Sequence, residues 1–303
     1  MILPNKKGDF IMDCSIFDRV YAGMLKSASE FQTGNQDETI QYHFDPQLEK
    51  VVSKYHLTDV AGQGPDSQKI IRMVEWMTQH CFHNGEFDNH IEPCAEKLLE
   101  FSFDQGKENG INCLSLSIAL TECFLGLGIC ARAMSIMPMS PYDRDNHVVC
   151  EAYARDLGKW IMVDPTYGGY ITDEQGNILN LMEMRECLSN RQTLCYSKNY
   201  NYNGDKVDPE WLNIYYAKDL FYLQCDKIQG YHPSKMENNP RLTFAPIGFD
   251  AKEHMKNHLD FVMDEHKDDK SWDESFRQRI FQRLDAVSLC YQHPKILYQE
   301  PKS

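Results

Sequence analysis

The sequence predicts an α+β fold, and three observations carry that expectation. An apolar segment over residues 113–125 is closed by Gly126 and Gly128, which is how a buried helix stops. Three strands follow, over residues 129–137, 147–154 and 159–163. The last two are joined by Arg155-Asp156-Leu157-Gly158, a good hairpin turn. Their meander predicts a small antiparallel sheet with the 113–125 helix packed on it.

The flanking elements are read in order. Phe44-Asp45-Pro46-Gln47-Leu48 opens a helical pattern, and Gly62-Gln63-Gly64-Pro65 ends it as a loop. Asp66 or Ser67 caps a helix with Ile70, Ile71, Val74 and Met77 on one face. That helix runs out at His83-Asn84-Gly85, and a shorter one covers residues 94–103. Gly110 and Asn112 break the chain before Cys113. Further on, Asn180 caps a helix over 182–189. An aromatic-rich segment at 211–221, a polar loop at 229–239 and mixed helices over 251–289 follow, and the tail from Gln299 to Ser303 is expected to be loose. No repeat or low-complexity tract is present.

The chain has 303 residues, enough to bury a full core. Its net charge of -14 argues against nucleic acid and anionic membrane surfaces, which select basic faces. The apolar run over 114–131 is interrupted by Ser115, Ser117, Thr121, Glu122 and Gly126, so it reads as buried helix and strand rather than a membrane span. Basic residues near the start (Lys6, Lys7) are not followed by an apolar segment, so a cytoplasmic location is expected. Eleven scattered cysteines, an odd number with no Cys-x-x-Cys pair, argue for reduced thiols.

Chemistry concentrates between Asn109 and Tyr167. Cys113 begins a helix, where unpaired N–H groups and the dipole favour a thiolate and its own N–H can serve an oxyanion. His147 begins a strand after a surface loop, 137–146, placed to shape substrate access. Asp164 ends the next strand, so hairpin geometry brings it to the imidazole. A cysteine, a histidine and an aspartate in those positions suit a nucleophile, its base and the residue that orients the base.

The same residues resemble the transglutaminase-like superfamily, the papain-related group with a Cys-His-Asp triad. The matching motifs are Asn112-Cys113, Leu127-Gly128-Ile129-Cys130-Ala131-Arg132, His147-Val148-Val149-Cys150-Glu151 and Trp160 to Thr166. Flanking segments at Trp76, His83-Asn84-Gly85 and Asp173 to Asn177 are similar to bacterial members. The likeness spans about residues 70–190. It implies a papain-like core over 66–190, between a helical extension at 1–65 and a mixed, largely helical region at 191–303. It also implies Cys113, His147 and Asp164 as catalytic residues acting on a peptide or protein amide without a cofactor. Within this group hydrolysis is expected more than cross-linking. The family often draws a second oxyanion donor from a side chain upstream of the cysteine; Gln105, Asn109 and Trp76 are candidates, with Asn112 beside them. A non-catalytic peptide-binding module is the alternative, and oligomeric state stays open.

Other signals carry less. His80, Cys81, His83 and His90 fit no standard zinc spacing. The run from Asp264 to Asp269 lacks the glycine of a calcium loop. No P-loop and no Gly-x-Ser-x-Gly is present. Glu122 and Arg132 are a possible pair, and Glu151 reads as structural.

Overall fold

The computed structural model describes residues 2–4, 10–12, 14–34, 38–236, 238–268 and 274–301. Lys6, Lys7, Asp269, Lys302 and Ser303, invoked above, lie outside the described residues.

The fold is mixed α/β around an eight-stranded sheet. From one edge to the other the strands are Leu289–Tyr291, Arg241–Phe244, Tyr222–Asp226, Ala131–Met137, His147–Ala154, Lys159–Asp164, Gly169–Thr172 and Cys195–Tyr196. Neighbours run antiparallel except Arg241–Phe244 with Leu289–Tyr291, which are parallel. The expected meander forms the middle of this sheet. The sheet is therefore larger than the small one expected, because three strands from beyond residue 220 extend it past Ala131–Met137. Each is three to five residues long, and its partner is remote in sequence.

The helix over Cys113–Gly126 is capped by Asn112, whose Oδ1 accepts from the Ser115 N–H at 3.0 Å. It closes with Gly128 at φ 74°, while the Gly128 and Ile129 N–H groups satisfy carbonyls of the last turn. Leu116, Leu120 and Phe124 are fully buried, each worth about 1.5–3 kcal/mol relative to exposure. The helix over Asp66–His80 differs at its start: Pro65 precedes it, and neither Asp66 nor Ser67 caps it with a side chain. Instead Asp156, in the hairpin turn, accepts from the Ser67 N–H at 2.9 Å and the Ser67 hydroxyl at 2.6 Å. The helix expected over 94–103 is α over Ala95–Leu99 and π over Glu100–Asp104. The Asn180 cap is observed with a full capping box to Glu183, opening Leu181–Ser189.

Side chains alternate across each strand, and the two faces of the sheet carry separate cores. Cys150, Ala152, Ile161 and Val163 pack with the cysteine helix. Met134, Val149 and Met162 pack with Leu212 and Tyr216 of the helix Pro209–Asp219. Residues from before position 65 enter both, Leu57 on the first face and Leu25 on the second. The tail is held at its beginning, where the buried Trp160 donates from Nε1 to the Gln299 carbonyl at 2.9 Å. The ten cysteines whose side chains are described are unpaired. No described helix is long and apolar enough to cross a membrane.

Candidate active site

Cys113 occupies the first position of its helix and is partly exposed. The approach to it is fixed by close backbone pairing. The Ile111 N–H donates to the Phe82 carbonyl, and the Asn84 N–H donates to the Ile111 carbonyl, both at 3.0 Å. Gly110 permits this approach: a Cβ there would stand 2.8 Å from the Asn84 Cβ. The N–H groups of Cys113 and Leu114 have no acceptor within the helix, so they stay available beside the sulfur.

His147 is the first residue of its strand, and Asp164 is the last of the next. In the register Cys150 faces Val163, so Asp164 stands opposite Val149 and diagonal to His147 on one face of the sheet. The His147 Nε2 donates to Asp164 Oδ2 at 2.7 Å, which leaves Nδ1 for the thiol. Asp164 is fully buried, and its other oxygen accepts from the Thr166 and Tyr167 N–H groups at 2.8 and 3.4 Å. Tyr216 donates to Oδ2 at 2.5 Å, and its hydroxyl also meets that of Tyr200. His147 is enclosed by the rings of Tyr215, Tyr167 and Tyr216, at 5.4, 5.9 and 6.2 Å between centroids.

The electrostatics follow from these partners. Burial pushes the Cys113 thiol up. Hydrogen bonding to His147, then to His83, outweighs it and brings the pKa down to about 6. Burial opposes charge on His147, but Asp164 and then the thiol raise its pKa well above the ordinary histidine value. Asp164 is held below the usual carboxylate value: burial opposes ionisation, and His147, Tyr216 and the Thr166 N–H overcome it. A thiolate–imidazolium pair is therefore the form favoured near neutrality.

The structure brings Cys113, His147 and Asp164 together from two faces of the sheet. Asn112 serves as the helix cap, with its Nδ2 held by Asn89 Oδ1 at 3.0 Å. Trp76 packs against Tyr55, His80 and Phe103. The Asn109 amide donates to the Gln105 carbonyl at 3.2 Å. Among the described contacts none joins Trp76, Gln105 or Asn109 to the thiol. The group that does reach it, beyond His147, is His83. Its Nδ1 lies 3.0 Å from the Tyr202 hydroxyl, and Asn203 clamps its backbone, accepting from the N–H at 2.8 Å and donating to the carbonyl at 2.9 Å. Sequence reasoning noted His83 only within a motif and as an unlikely zinc ligand; Asn203-Gly204, a hairpin-turn dipeptide, was the one local signal for its clamp. Among the described residues no three His, Cys, Asp or Glu side chains gather in a metal-holding arrangement. Arg132 pairs with Glu151 rather than Glu122. Glu122 accepts instead from the Ala95 and His232 N–H groups at 2.8 and 2.9 Å.

No protein-family model matches this sequence, and no curated protein matches it. Solved structures are similar at a distance, two of them as follows. A proposed cysteine protease from Cytophaga hutchinsonii has a TM-score of 0.32 and 12% identity over 58% of this chain and 66% of that one. A proposed protease from Parabacteroides distasonis has a TM-score of 0.28 and 13% identity over 54% of this chain and 30% of that one. The chain thus spans less than two thirds of the length of either, and likeness at this level identifies no family.

Proposed function

We propose that this protein is a cysteine hydrolase or acyltransferase of the transglutaminase-like type, with a papain-like core, acting on an amide bond in a peptide or protein. The observation that carries the reading is the His147 ring, held between the Asp164 carboxylate at 2.7 Å and the Cys113 thiol. The thiolate attacks the amide carbonyl, and the Cys113 N–H stabilises the oxyanion that forms. His83, at the same sulfur, is a further donor candidate for that oxyanion. The imidazolium of His147 gives its proton to the departing amine, leaving a thioester on Cys113 and a neutral ring. That ring then takes a proton from water, whose oxygen attacks the thioester; the thiolate leaves and the carboxylic acid is released. Hydrolysis is favoured over transfer because water needs no second binding site.

The test is iodoacetamide labelling from about pH 5 to about pH 9, mapped by mass spectrometry. Cys113 is expected to label faster as pH rises through about 6, because the reactive thiolate is the deprotonated form. In His147→Ala the inflection moves upward, since burial remains and its main opponent is gone. Labelling at Cys113 that matches other exposed thiols and ignores His147 would favour a non-catalytic binding module.

A further inference from the structure

A cavity of about 550 Å³ lies beside this site, between the helix Asp66–His80 and the segment 198–206. Its walls overlap the machinery already described. Asn203 lines it and clamps the His83 backbone. Tyr200 lines it and meets the Tyr216 hydroxyl that bonds Asp164. Gly168 lines it and donates its N–H to the Asp164 carbonyl at 2.8 Å. The cavity thus shares Asn203, Tyr200 and Gly168 with the groups that hold His83 and Asp164 in place.

The charge of the cavity opposes that of the molecule. The chain carries 45 acidic against 31 basic residues, yet Lys107, Lys198 and Lys206 line the cavity with only Glu75 against them. The Glu75 carboxylate already accepts from the Asn199 amide at 3.0 Å. Outside the cavity Lys54, Lys159, Lys218 and Lys227 each have a carboxylate within 4 Å, while Lys26, Lys50, Lys267 and Lys295 are likewise without an ion pair among the described residues. Among the described residues no ion pair involves Lys107, Lys198 or Lys206; Lys107 lies over the Phe82 ring, 4.7 Å from its centroid. Three exposed ammonium groups against one engaged carboxylate, in a molecule of net charge -14, give this cavity a local charge that favours a negative ligand.

We infer that this cavity binds a carboxylate of the substrate, so that the preferred substrate is an acidic peptide. The carboxylate is either a Glu or Asp side chain near the scissile amide or the free C-terminus of the peptide. The inference rests on the proposed function only for placing the scissile bond at Cys113; the carboxylate site itself does not depend on turnover.

The experiment uses the full chain carrying Cys113→Ala, so that binding is read without chemistry. Four fluorescein-labelled alanine-based hexapeptides are compared by anisotropy: one glutamate with an amidated C-terminus, one glutamine with a free C-terminus, one glutamine amidated, and one lysine amidated. At least one of the two carboxylate peptides is expected to bind about ten-fold tighter than the neutral one, with the preference weakening in high salt. Which of the two it is identifies the source of the carboxylate. Lys198→Gln with Lys206→Gln should reduce that peptide to the neutral level, while Lys50→Gln, an unpaired lysine outside the cavity lining, leaves it unchanged. Equal binding of all four peptides, weak or strong, overturns the inference, as does an acidic preference that survives the double substitution. If Cys113 proves unreactive while the carboxylate preference holds, the enzymatic reading fails and the binding site stands.

Discussion

Tyr216 is the clearest case of one hydroxyl with two duties. It donates to Asp164 at 2.5 Å and meets Tyr200, and all three groups are buried. Replacing it by phenylalanine keeps the ring against His147 but leaves the Asp164 oxygen and the Tyr200 hydroxyl each short of a partner. The expected cost is about 1–3 kcal/mol, read from the midpoint of urea unfolding. An unchanged midpoint would mean that water fills the gap. The paired shifts of Cys113 and His147 also have a consequence for pH dependence. A thiol pKa lowered to about 6 makes the fold bind fewer protons than the unfolded chain above that pH, and a raised histidine makes it bind more. Across the neutral range the two cancel, because the pair has moved a proton from sulfur to nitrogen without exchanging one with solvent. Reactivity should therefore titrate near pH 6 while stability stays flat there.

Among elements, the loop before His147 is fastened rather than free. Lys218 reaches Asp143 at 3.1 Å, Asp145 at 3.4 Å and Asp219 at 3.5 Å. From the other side His258 meets the Pro141 carbonyl at 2.9 Å, and Phe261 packs edge-on against Tyr142. The sequence placed this loop beside the cleft, but its fasteners come from about 75 to 120 residues later and carry no local signal. Lys218→Met should free amides of the loop to exchange with deuterium about ten-fold faster, with the cysteine helix unaffected; equal exchange would show that the contacts from His258 and Phe261 suffice. The same distinction explains what could be read in advance. The cap at Asn112, the stop at Gly128 and the hairpin through Gly158 are set by residues within a turn of one another, so Cys113, His147 and Asp164 could be placed on their elements. His83, Tyr200, Asn203 and Tyr216 reach the site by pairing across 16 to 120 residues, and the strands Tyr222–Asp226, Arg241–Phe244 and Leu289–Tyr291 are too short to announce themselves.

For the whole molecule, Glu151 is the point where distant parts of the chain are tied. It is fully buried and accepts from Arg132 at 2.7 Å on the next strand, from the Leu181 N–H at 2.9 Å and from the Tyr298 hydroxyl at 3.0 Å. The Arg132 guanidinium lies 4.0 Å from the centre of the Trp160 ring, in equally dry surroundings. Glu151→Ala strands that cation, so unfolding should become easier by about 3–5 kcal/mol. Glu151→Leu combined with Arg132→Met should recover much of it, and chemical denaturation followed by Trp160 fluorescence would read both. A loss under about 1 kcal/mol in the single variant would mean that the charge finds water. The placement of the site between layers has its own consequence. The sulfur rides on a helix seated on one face of the sheet, while the imidazole and carboxylate belong to the other. Their meeting is a caliper closed across the thickness of the sheet, and any slip of that helix opens it. Chemistry at the sulfur should then be the first property lost on gentle heating, with the strands still in register and both cores still dry.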